Sequence, residues 1–147
     1  MPGSAKASGL MSRHLAELRN LTGLDLVLGT LNIRLERPIR LRETIPWKGW
    51  GSPAYMCPVS LLGHRAFAYR YSDMPPDRIE ILSDTHFRSM HQLRDRDEVV
   101  VLIENRFLDE LDAQTWVTWA IHRILLSPLP TRWRAFGLKV QRRLRSR

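Results

Sequence analysis

A chain of 147 residues that is 44% hydrophobic and 26% charged is long enough for one domain with a core, and too apolar for a disordered segment. Its single cysteine, Cys57, excludes an internal disulfide and sits in the apolar run Tyr55-Met56-Cys57-Pro58-Val59, which predicts a buried core thiol in a reducing compartment rather than a catalytic one. The net charge of +8 is uneven: residues 1–105 carry 14 Lys and Arg against 12 Asp and Glu, whereas residues 106–147 carry nine against three. No apolar run reaches the length of a membrane span, and the first residues lack the apolar stretch of a secretory signal, which predicts a cytoplasmic protein.

Taken in chain order, residues 1–10 are small and polar and read as a flexible loop. Leu10, His14, Leu15, Leu18 and Leu21 recur at helical spacing, so a helix is expected over 12–21, capped by Ser12 and ended by Thr22-Gly23. The run Gly29-Thr30-Leu31-Asn32-Ile33-Arg34-Leu35 alternates polar and apolar residues and predicts a strand over 30–35. Residues 36–52, broken by Pro38, Pro46, Gly49 and Gly51, read as a loop with Trp47 and Trp50 closing over the edge of the core. Ala54–Leu61 and Arg65–Tyr71 are expected to form a hairpin through Leu62-Gly63-His64. After a proline-broken loop at 72–77, a strand is expected over Arg78–Leu82, with Ile79 and Ile81 on one side and Glu80 on the other.

Ser83, Asp84 and Thr85 are three candidate caps for a helix from His86 to about Leu93. A turn at 94–97 leads to a buried strand over 98–103. Residues 106–126 show helical periodicity, with Asp109, Glu110 and Asp112 near the N-terminus; Pro128 and Pro130 stop that helix. It is apolar enough to dock on the body or to form a dimer interface. Thr131 can cap a second helix with Trp133, Phe136, Val140 and Leu144 along one face. Several short strands, two short helices and much loop predict a small, mainly β barrel over 1–105, followed by a basic helical extension over 106–147.

Two clusters carry possible chemistry. Thr30 and Asn32 share one face of their strand, and a hydroxyl and an amide are the neutral oxygen ligands that a hard cation such as Mg²⁺ accepts. The same residues also fit an ordinary strand entered through a glycine turn. The second cluster is the strand bearing Glu80 and the helix start that follows it. Unpaired backbone N–H groups there suit phosphate, and Arg88 lies one turn in. The local sequence alone favours an ordinary capped helix with a solvated arginine, and for Glu80 a strand glutamate facing water.

Gly29-Thr30-Leu31-Asn32-Ile33-Arg34-Leu35, Gly63-His64-Arg65, Ser72 through Ile79-Glu80-Ile81-Leu82, Phe87-Arg88 and Leu93-Arg94-Asp95-Arg96-Asp97-Glu98-Val99 follow one another in an order and spacing that resembles the archaeal-type CTP-dependent riboflavin kinases. The resemblance covers residues 3–104 and implies a six-stranded cradle-loop β-barrel. It further implies transfer of the γ-phosphoryl of CTP to the 5′-hydroxyl of riboflavin, giving FMN. By resemblance, Thr30 and Asn32 hold Mg²⁺. Ser72 and Glu80 contact the flavin, with serine standing where the family has threonine. Gly3, Ser4, Ala5 and Lys6, with Thr85, His86, Phe87 and Arg88, contact the nucleotide. No general base is assigned.

Three features depart from the family. The strand that precedes its nucleotide-cradling loop has no counterpart before Gly3, which would leave a sheet edge open. Asp25-Leu26-Val27-Leu28 replaces the prolines or aromatics before the motif glycine. The segment from Arg106 onward is an addition. Two further function classes therefore stand beside the kinase: a catalytically inactive barrel that binds a nucleotide or flavin, and a protein that meets nucleic acid or an anionic membrane surface through its basic tail. Against the last, the pattern favours a tail that packs its apolar stripe on the barrel and leaves its arginines in water.

Overall fold

A computed structural model describes residues 5–42, 45–47, 53–71 and 74–125 of the chain. The readings on Gly3, Ser4, Trp50, Ser72 and the tail over 126–147 lie outside the described residues. The fold is mainly β, an antiparallel sheet curled into a half-barrel with a few helices. Its elements are α1 (Ala5–Thr22), β1 (Leu31–Arg34), β2 (Arg40–Leu41), β3 (Ile45–Trp47), β4 (Ala54–Leu61), β5 (His64–Tyr71), β6 (Arg78–Leu82), α2 (Phe87–Met90), β7 (Val101–Ile103), β8 (Leu108–Asp109) and α3 (Ala113–Leu125).

The main sheet runs β1-β6-β5-β4-β3, and β7 joins β4 on the same edge as β3. β3 pairs with residues 54–56 of β4 and β7 with residues 59–61, so the two occupy opposite ends of that edge. β2 and β8 form a separate two-stranded ribbon.

The sheet is buried on both faces. On one, Ile33, Ile79, Ile81, Ala68, Cys57 and Val59 meet Phe87, Val99, Val101 and Phe107. On the other, Met56, Phe67, Tyr69 and Leu82 pack with Trp47, Leu26 and the α1 residues Met11 and Leu18. Each of the larger apolar side chains contributes roughly 1.5–3 kcal/mol by leaving water. Cys57 is fully buried as expected, and burial pushes its thiol up to about 12. Trp47 likewise joins the core.

Three expected strands agree closely with the structure: Arg78–Leu82 is β6, and the hairpin is β4–β5. The hairpin turns on Leu62 and Gly63 alone, both left-handed, with φ of 51° and 83°. Gly23, at φ 67°, ends α1 by donating its N–H to Arg19 O at 2.8 Å.

Other expectations need correction. Residues 5–10 are the start of α1, not a loop, and Met11 and Leu18 anchor that helix to the sheet. The expected loop at 36–52 contains β2 and β3. The helix expected from His86 to Leu93 is one turn, Phe87–Met90, because Gln92 takes a left-handed φ of 52°. Its start carries no side-chain cap; instead Thr85 donates its N–H to Ser83 Oγ at 3.1 Å and its hydroxyl to Asp84 at 3.0 Å. The expected strand over 98–103 is shorter, at Val101–Ile103.

The expected helix over 106–126 starts later, at Ala113. Phe107 is buried in the core, and Leu108 and Asp109 pair with Leu41 and Arg40. Asp112 then caps α3, accepting the Thr115 N–H at 2.6 Å and its hydroxyl at 2.9 Å.

A left-handed leucine in a two-residue turn is a local conflict, since that turn prefers Asn-Gly. Leu62→Asn is expected to stabilise the protein by about 1 kcal/mol, read as a higher urea midpoint at unchanged slope.

Candidate functional site

β1 and β6 bring the two sequence clusters together. In their antiparallel register Asn32 lies opposite Glu80, Leu31 opposite Ile81 and Ile33 opposite Ile79. The alternation that buries Ile33, Ile79 and Ile81 therefore turns Asn32 and Glu80 to the other face. Gly29, at φ 107°, makes the bend into β1, and its N–H meets Met11 Sδ of α1 at 3.2 Å. Thr30 follows at once, and its side chain hydrogen-bonds the Glu80 carboxylate. A hydroxyl, an amide and a carboxylate thus share one patch of the β1–β6 pair.

Glu80 is half-buried, and burial pushes its carboxyl above the ordinary range while the Thr30 hydrogen bond opposes that shift. Across β5 its register partner is Tyr69. Burial first, then the Glu80 charge and Tyr71, raise the Tyr69 phenol. Tyr69 contacts Trp47 edge-on at 6.0 Å and Tyr71 at 6.2 Å between ring centres. This aromatic wall beside Glu80 was not singled out from sequence; its signal is Tyr69 and Tyr71 two apart on one strand face.

Asn32 and Arg88 line one small cavity with Ile33, Arg94, Asp95 and Val99. Its volume of about 20 Å³ admits a water or a bare ion. A nucleotide would have to lie outside it. Arg88 is itself exposed and pairs with Asp95 at 2.8 Å, which holds the Asp95 carboxyl below its usual range. His86 is exposed, whereas Phe87 is buried, stacks on His91 at 6.1 Å and meets His64 edge-on at 5.8 Å. Phe87 is thus a core residue. Ala5 and Lys6 lie in the first turn of α1.

A second hollow of about 520 Å³ adjoins Tyr71, the residue before Ser72, and is flanked by Tyr55, Arg42 and Arg70. The Arg70 guanidinium is engaged by the carbonyls of Ile39, Met74 and Pro76 at 2.7–3.1 Å, which fastens the chain around β6.

Among the described residues no three His, Cys, Asp or Glu side chains cluster as a metal site. The donor set of Thr30, Asn32 and Glu80 is all oxygen and fits a hard cation such as Mg²⁺, with remaining positions left to water or phosphate. No family model matches the chain, and a search of the curated proteins finds no relative.

Because the folded Glu80 carboxyl titrates above its unfolded value, its contribution to stability is full below the unfolded value and is lost as pH rises through the folded one. Thr30→Val removes the opposing hydrogen bond, so the Glu80 titration is expected to move further up, measured by its carboxyl ¹³C shift against pH. Glu80→Gln is expected to remove this pH-dependent loss from the stability profile.

Proposed function

We propose that the chain is a riboflavin kinase-like phosphotransferase that moves the γ-phosphoryl of a nucleoside triphosphate, CTP by resemblance, to the 5′-hydroxyl of riboflavin to give FMN. The observation that carries this reading is the shared patch of Thr30, Asn32 and Glu80. Separate stretches of sequence supply these residues, and the β1–β6 register makes them neighbours. The reading takes the curled sheet as the greater part of a six-stranded cradle-loop barrel.

Thr30 and Asn32, with Glu80 beside them, would hold Mg²⁺, which when bound supplies positive charge to the phosphates. Phosphoryl transfer asks the protein mainly for positioning and electrostatics. Glu80 is suited to accept a hydrogen bond from the ribityl 5′-hydroxyl and orient it. By resemblance, Ser72 would add a second hydroxyl contact to the flavin. Arg88 would meet a phosphate by exchanging its partner Asp95.

A second reading, a barrel that binds nucleotide or flavin without turnover, is favoured by one observation. The segment matched to the nucleotide-cradling loop continues as the helix Ala5–Thr22.

Full-length protein incubated with riboflavin, Mg²⁺ and either CTP or ATP is expected to form FMN, followed by chromatography with fluorescence detection. Asn32→Ala and Glu80→Ala are each expected to lower kcat/KM on the order of 100-fold. Unchanged rates in both variants would remove the site. Flavin or nucleotide binding without FMN formation would establish the second reading.

A further inference from the structure

α3 presents its apolar side to solvent. Thr115 and Trp119 are half-buried on the side toward the body, whereas Ala113, Val117 and Ile121 form an exposed stripe at steps of four. Val117 is 56% and Ile121 48% exposed, and the neighbouring Trp116 is 42% exposed. Isolated apolar residues at a surface need no explanation, but a helical stripe of them does.

The chain itself carries a matching stripe. Five residues, 126–130, with Pro128 and Pro130 among them, separate α3 from Thr131, a length that suits the turn between two antiparallel helices. Beyond it Phe136, Val140 and Leu144 also recur at steps of four. Folded back antiparallel, one register sets Ile121 opposite Phe136, Val117 opposite Val140 and Ala113 opposite Leu144. That register also carries Arg145 to Asp112 and Arg147 to Glu110, the acidic approach to α3. Asp112 is half-exposed and already meets Arg40 at 3.8 Å, so it can accept a second cation.

We infer that residues 131–147 are the cover of α3, docking on it as an antiparallel helix through the 113/117/121 stripe. The two apolar faces bury each other, and the arginines off the contact form a basic outer surface. The inference does not depend on the activity proposed above.

The test is Val117→Cys/Val140→Cys in the full chain, oxidised with copper–phenanthroline and read on non-reducing gels and by mass spectrometry. Cys57 is fully buried, with its thiol pushed up to about 12, and stays out of the reaction. A crosslink within one chain is expected, at a rate independent of protein concentration and about tenfold faster than for Thr118→Cys/Val140→Cys, which is off the stripe. Ile121→Cys/Phe136→Cys should behave like the first pair and keeps the test decisive if either variant folds poorly.

Crosslinked dimers whose yield rises with concentration would overturn the inference in favour of a second copy as the cover. Absence of any crosslink in both pairs would also overturn it. Retention of that uncrosslinked protein on phosphatidylserine vesicles or on single-stranded RNA would then name the occupant of the tail.

Discussion

Arg34 and Asp77 clamp one end of the β1–β6 pairing. The guanidinium donates from Nε to the nearly buried Asp77 carboxylate at 3.0 Å, across 43 residues of chain, and Asp77 O accepts the Leu35 N–H at 2.7 Å. This clamp fixes register. A slip of one residue would turn Ile33, Ile79 and Ile81 out of the core and carry Asn32 and Glu80 into it. The same constraint therefore builds the core and sets the polar patch on the opposite face. A buried carboxylate is costly without its partner, so the clamp specifies one pairing more than it adds net stability.

A sheet buried on both faces explains the rest of the architecture. α1 covers the face that bears Tyr69 and Trp47, and the segment around Phe87, Val99 and Phe107 covers the other. Glu80 is consequently less exposed than a polar residue on a one-sided sheet. The Gly29 N–H contact to Met11 ties the entrance of β1 to α1, so movement of that helix would be felt at Thr30.

The hairpin, β6 and the buried thiol were legible because each is encoded locally: alternation over five to eight residues and a two-residue glycine turn. Gly29 was legible as a bend for the same reason. The start of α1 was misread because Ala5, Lys6, Ala7 and Ser8 look like linker residues, while tolerating a helix once Met11 and Leu18 find the sheet. Helical periodicity at 106–112 was overridden by a distant partner, since Leu108 and Asp109 gain more from pairing with β2 than from one more turn of α3. The Asp112 cap was visible in the acidic cluster but its place as the helix start was not. For the site, sequence supplied Thr30, Asn32 and Glu80 separately. Their meeting depends on β1 lying beside β6, a neighbour relation set by the whole sheet and carried by no local pattern.

Glu80 separates this patch from an ordinary strand surface. A glutamate facing water needs no partner, whereas this one is half-buried, raised by that burial and joined to a neutral hydroxyl. A neutral donor offsets only part of the cost of an ionised carboxylate away from water. Its charge in turn disfavours ionisation of Tyr69, whose phenol stays neutral beside it. A cation seated on Thr30, Asn32 and Glu80 would offset the Glu80 charge, and a hydroxyl donor from a substrate would offset it in part. Perturbed carboxylates of this kind concentrate at functional positions, where the charge or donor of a ligand can offset the cost of burial.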